Sequence, residues 1–213
     1  VALGLSGGID SALVATLAVD ALGKERVVGV SLPSKYSSDH SKSDAKELAA
    51  NLGIDFRTIE IEPVVQAYVN ATTLSGVAEE NIQARVRGSL LMGLSNQEGH
   101  LILATGNKSE LAVGYSTLYG DAVGGFAPIK DIFKVDVWRL AKWRNEKARK
   151  AGAVPPIPEN SILKEPSAEL RPGQKDTDSL PDYHLLDRLL DIYVEKNGDA
   201  VEIIKAGFEK SLV

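Results

Sequence analysis

Cysteine is missing from this sequence altogether, and histidine nearly so, with only His40, His100 and His184 among 213 residues. The first absence removes disulfides, thiolate zinc sites, iron–sulfur ligation and a cysteine nucleophile together. The three histidines show no HExxH or paired spacing, which argues against a histidine-built metal centre. Long apolar runs are lacking too. None approaches the roughly 18 residues that span a bilayer, and no charged start leads through an apolar run to a small-residue cleavage site. A soluble, cytoplasmic protein without a membrane partner is therefore expected. Nor is there an excess of basic charge: 24 Lys and Arg stand against 29 Asp and Glu, a net charge of −5. No broad cationic face for nucleic acid is expected from that balance.

What is present suits one core, since 44% of the residues are hydrophobic and the length is that of an ordinary domain spanning 1–213. The chain opens inside an apolar run, VALGLSGG, so an upstream segment is expected to precede it. Short apolar runs at Val1–Leu5, Val27–Leu32, Phe56–Ile61 and Leu101–Ala104 alternate with longer amphipathic stretches. That alternation predicts strands feeding crossover helices, an α/β fold with a mainly parallel sheet. Helices are expected over Ser11–Leu22, apolar around much of its circumference, over Ser41–Leu52, and over Glu79–Leu94, where Ile82, Val86, Leu90 and Leu94 form one stripe. Further helical regions follow near the carboxyl end, at Leu185–Tyr193 and Asp199–Phe208. Between them, residues 153–181 are crowded with prolines, which fix φ and lack a donor. This stretch is expected to be a long surface loop without regular helix, of the kind used as a lid or binding segment.

The motif that carries chemistry lies between the first strand and the first helix: Gly4, Leu5, Ser6, Gly7, Gly8, Ile9, Asp10 and Ser11. Glycines let the main chain approach an anion without Cβ clashes, and a helix amino end adds unpaired N–H donors and partial positive charge. The two serine hydroxyls can reach the same oxygens. A plain strand-to-helix turn with a serine cap is the simpler alternative. The GxxxxGK[ST] pattern of kinases and GTPases fails for want of a lysine, and GxGxxG fails as well.

The string SGGIDS resembles the pyrophosphate loop of the ATP pyrophosphatases. Four further strings make the resemblance one to the NAD synthetases: ENIQARVR at Glu80–Arg87, TGNKSE at Thr105–Glu110, YSTLYGD at Tyr115–Asp121 and PSAEL at Pro166–Leu170. The resemblance implies a Rossmann-like three-layer α/β/α fold with extra C-terminal helices. It also implies ATP-dependent amidation of nicotinic acid adenine dinucleotide by ammonia, through an acyl adenylate, with release of AMP and pyrophosphate. Asp10 and Glu110 would hold Mg²⁺; residues 4–11, Thr105, Lys134 and Ser167 would bind ATP; Arg85, Tyr115 and Asp121 would bind the dinucleotide. Each has a plainer alternative. Glu110 suits a helix first turn, Tyr115 a core, and Lys134 a solvated surface. Arg87, two residues beyond Arg85, projects to another side of the helix and reads equally well as a surface salt-bridge residue.

Two departures stand out. Short ammonia-dependent members carry a lysine and an aspartate where Leu118 and Gly125 stand here, and the basic residues that finish the dinucleotide site have no counterpart before Val213. The chain is more similar to the synthetase portion of glutamine-dependent members. Their amidase module uses a cysteine, so glutamine use here implies an amidase domain in cis or in trans. A homodimer is implied by the family alone. The competing readings are a GMP synthetase-like ligase and a nucleotide-binding module without turnover.

Overall fold

The computed structural model describes residues 1–213. Three short strands, β1 (Ala2–Gly4), β2 (Val28–Ser31) and β3 (Asp55–Thr58), pair in parallel in the order β1-β2-β3. Leu3 stands opposite Gly29, and Gly29 opposite Phe56. The fourth expected strand, Leu101–Ala104, lies along the free edge of β1 as isolated parallel bridges at Ala2–Ile102 and Leu103–Phe126. Its ladder is brief because each neighbour meets it at a single residue.

The period-2 alternation of strand side chains divides the core in two. Leu3, Leu5, Val27, Ile54 and Leu103 face helices α1 (Ile9–Leu22), α2 (Asp39–Leu52) and α6 (Lys134–Lys150). Ala2, Val28, Val30 and Ile102 face α3 (Glu62–Thr72) and α4 (Val77–Glu98). The result is the three-layer α/β/α architecture expected of the sequence. Ala12, Ala15 and Ala18 are all buried in α1, and their small side chains let it lie close on the sheet. Extra helices follow α5 (Lys108–Val113) and α7 (Glu159–Leu163): α8 (Tyr183–Leu190), which runs into a π-helical turn, and α9 (Ala200–Lys205). No helix is long and apolar enough to cross a membrane.

Two features differ from the sequence expectation. Helices α3 and α6 are not among those the periodicity predicts; α6 is strongly charged and buries only a narrow stripe that includes Val137, Ala141 and Ala148. The proline-rich stretch is not wholly irregular either. Pro158 caps α7, and Ser161 and Ile162 of that helix are buried. Proline is tolerated at a helix start, where the N–H has no partner, so the stretch between Pro158 and Pro166 is free to coil.

Candidate active site

The turn at residues 4–11 is fixed by its own hydroxyls. Gly8 N–H donates to Ser6 Oγ (3.1 Å), Ser6 N–H donates to Ser11 Oγ (3.3 Å), and Ser11 Oγ donates to Gly8 O (3.1 Å). Gly8 caps α1 without a side-chain partner, which leaves the amino end of that helix open to a ligand. Gly7 has φ of +82°, and a Cβ built there would stand 2.2 Å from Ser41 O. Only glycine fits. Ser161 Oγ of α7 donates to Gly7 O (2.9 Å) and locks the turn from the other side.

Asp10, in the first turn of α1, and Glu110, in the first turn of α5, meet at one ammonium group. Lys134 Nζ donates to Asp10 Oδ2 (2.6 Å) and to Glu110 Oε1 (2.9 Å). Tyr183 and Trp138 flank that nitrogen, with ring centroids at 5.3 and 6.0 Å. Lys134 is only 2% exposed, so it is no solvated surface lysine. Its position follows from the start of α6, where Ser109 Oγ accepts from Lys134 N–H (2.8 Å) and Asp187 Oδ2 accepts from Val135 N–H (2.8 Å). Asn107, within TGNKSE, carries no local signal of what it does here. It is fully buried; its Nδ2 donates to Asp10 Oδ1 (2.8 Å) and its Oδ1 accepts from Glu110 N–H (3.0 Å). One side chain thus ties the Asp10 carboxylate to the main chain of Glu110.

Burial, and next the Asp10 charge, push the Glu110 carboxyl up to about 7, against the pull of Lys134. The folded state therefore holds a proton between about pH 4.5 and 7 that the unfolded chain has released. The stability it lends is complete below the lower value and is lost as pH rises through the upper one. Glu110→Gln is accordingly expected to match the parent near pH 4.5 and to exceed it by up to about 3 kcal/mol at pH 8. Thermal melts in metal-free buffer across that range check this, and a gap independent of pH would refute it.

Two carboxylates, rather than a three-ligand cluster, make up the acidic set here. That chemistry fits Mg²⁺, which takes one or two protein carboxylates together with substrate phosphates and retained waters.

The segment 164–178 covers the site through polar contacts. Glu169 has φ of +49° and places its carboxylate at the amino end of α2. There Ser41 Oγ (2.7 Å), Ser38 Oγ (2.8 Å) and Ser38 N–H (3.1 Å) all donate to it. Gln83 Nε2 of α4 donates to Leu170 O (2.9 Å). Asp176 accepts from both Tyr115 Oη (3.2 Å) and Tyr183 Oη (2.9 Å). Ser167 Oγ donates to Gln174 O (2.6 Å), so this hydroxyl serves the segment's own turn.

A cavity of about 550 Å³ lies between these parts. Residues 4–11 other than Gly7 line it, together with Thr105, Glu110, Lys134, Tyr115, Asp121 and Ser167. Asp121 also accepts from Thr117 N–H (2.7 Å), which shapes the YSTLYGD turn. Arg85 is not brought into this cavity. It lies in a small groove between α3 and α4 with Val64, Tyr68 and Ile82, and its Nε donates to Leu118 O (3.2 Å). Arg87 lines the main cavity instead. Residues two apart on a helix point about 200° apart, so only one of the pair can face inward. Leu118 is exposed, and Gly125 N–H donates to Ile102 O (2.9 Å) at the sheet edge.

A family model described as NAD synthase matches residues 1–213. A glutamine-dependent NAD(+) synthetase from Synechocystis sp. is 54% identical over 99% of this chain, which covers 38% of that protein. Among solved structures, the glutamine-dependent NAD+ synthetase of Acinetobacter baumannii in complex with ADP is 46% identical with a TM-score of 0.73. The match covers all of this chain and 38% of that one. The NH3-dependent NAD synthetase of Campylobacter jejuni is 34% identical with a TM-score of 0.77, over 99% of this chain and 79% of that one. The chain thus spans about two fifths of the length of the glutamine-dependent relatives it matches. A family match along its whole length, on a fold that gathers the SGGIDS turn, Glu110 and Lys134 into one cavity, makes this chain a member of the NAD synthase family.

Proposed function

We propose that the chain uses ATP to amidate nicotinic acid adenine dinucleotide, forming NAD with release of AMP and pyrophosphate. The observation that carries this reading is the convergence of the SGGIDS turn and the Asp10–Lys134–Glu110 cluster in a single cavity, with Tyr115 and Asp121 also on its wall. A carboxylate resists attack by ammonia because it is anionic and its leaving group would be oxide. Joined to AMP, it has a good leaving group.

In this reading the open amino end of α1 and the hydroxyls of Ser6 and Ser11 bind phosphate oxygens. Lys134 holds the two carboxylates in place beside them, and Thr105 lines the nucleotide side. Asp10 and Glu110 would hold Mg²⁺, which when bound neutralises phosphate charge. Tyr115 offers a flat face to the pyridine ring while its hydroxyl is held by Asp176. Positioning and charge stabilisation do the catalytic work, and no protein nucleophile takes part. Ser167 reaches phosphate only if the segment bearing it rearranges. Arg85, in its outer groove, meets the dinucleotide only where a ligand or a second subunit reaches α3 and α4, which agrees with a homodimer. The reaction is placed in the cytoplasm, and any glutamine-derived ammonia comes from an amidase domain, since this chain has no cysteine.

The test is product analysis. With ATP, Mg²⁺ and ammonium, nicotinic acid adenine dinucleotide is expected to elicit equal amounts of AMP, pyrophosphate and NAD, whereas xanthosine monophosphate elicits none. Release of ADP, or AMP formation indifferent to the acid supplied, would overturn the reading.

A further inference from the structure

Arg87 is the one arginine that the sequence left without a role and the structure places in the main cavity. Its Nε donates to Leu32 O (2.9 Å), the carbonyl just beyond the end of β2. That bond fixes the plane of the guanidinium. Its two outer nitrogens have no hydrogen-bond acceptor in the protein, and no carboxylate lies within salt-bridge distance. The charged groups nearest in effect, Glu169 and Asp121, act on it only through space, and burial pulls the guanidinium down to about 10. Among fully buried side-chain polar atoms only Gln83 Oε1 lacks a partner, so the unpartnered outer nitrogens of Arg87 are open to the cavity rather than sealed in the protein. A guanidinium anchored by one nitrogen, with its fork free inside a ligand-sized cavity, is built to take two anionic oxygens at once.

We propose that Arg87 is a ligand-binding residue of the cavity, and that its outer nitrogens take the anionic oxygens of the reacting partners, phosphate or carboxylate. The proposal rests on the function argued above and deepens it. The Asp10–Lys134–Glu110 cluster already holds one cation between two carboxylates, so Lys134 brings little net positive charge to the cavity. Arg87 adds charge not cancelled by a contact partner. Arg85 cannot substitute for it, because that side chain faces the groove between α3 and α4.

The test is direct binding by calorimetry to the full chain and to Arg87→Ala and Arg87→Lys, using ATP, nicotinic acid adenine dinucleotide and uncharged adenosine. For Arg87→Ala, Kd for one or both anionic ligands is expected to rise roughly 10- to 100-fold, with adenosine unchanged. Arg87→Lys keeps the charge without the fork and is expected to recover only part of the loss. A rise confined to ATP identifies phosphate as the partner, and one confined to the dinucleotide identifies the acid. Equal weakening of adenosine and ATP, or no change for either anion, would overturn the proposal. The parent protein separates the two readings: if it binds both anions yet makes no AMP, the amidation reading fails while the role of Arg87 stands.

Discussion

Lys134→Met is expected to lower the melting temperature by about 6–20 °C at pH 8 and AMP formation by about 10²- to 10³-fold. The lysine is buried and holds Asp10 and Glu110 at 2.6 and 2.9 Å. Methionine fills much the same volume but leaves two carboxylates facing each other without a cation. Removing one partner of a buried ion pair costs about 3–5 kcal/mol, because the remaining charge stays desolvated. Without the pull of Lys134 the Glu110 carboxyl rises further, so the penalty is expected to be smaller at low pH, where the variant holds a proton there. Melts at pH 5 and pH 8 check the claim. Equal losses at both values would mean that methionine merely packs badly among Tyr183 and Trp138, and no loss at either would mean that the cluster is not what holds this end of the site together.

Gly7→Ala should be the second severe change. A side chain there must adopt a left-handed backbone and also push against Ser41 O at 2.2 Å and Ser41 Cα at 2.8 Å. Both atoms are main chain and cannot swing aside. The strain is about 1–2 kcal/mol for the backbone and about 1–3 kcal/mol for the overlap. Relief requires the turn and α2 to separate, which turns the N–H donors away from a bound phosphate. The neighbouring Gly8→Ala serves as the control. Gly8 has an ordinary extended backbone with φ of −78°, and the nearest atom to its Cβ is Ser6 Oγ at 3.2 Å. It is expected to cost about 1 kcal/mol, through the cap alone. Comparable ATP affinity in the two variants would contradict this account of the turn.

Local pattern made much of this architecture legible. The apolar runs at residues 1–5 and 27–32, and the helix after SGGIDS, follow from periodicity and turn chemistry, which act over a few residues. The pairing of Lys134 with Asp10 spans 124 positions, and the sequence offered only the separate strings. Glu169 and Ser38 lie 131 positions apart, and nothing local links them. Arg85 and Arg87 could not be told apart without the rotation of α4 against its neighbours, which tertiary packing sets. Helix α6 escaped notice because its charge masks a narrow buried stripe, and α7 because prolines on either side dominate the composition.

The covering segment is anchored very differently along its length. Ile157 and Ile162 are sunk in the core, whereas from Lys164 to Arg171 the grip on the body is a set of hydroxyl, amide and ionic contacts that water can replace one for one. Amide hydrogens of residues 157–162 should thus exchange with solvent far more slowly than those of 164–175. Such a flap can lift from a firm hinge, admitting a nucleotide and discharging pyrophosphate, without disturbing the apolar layers beneath it.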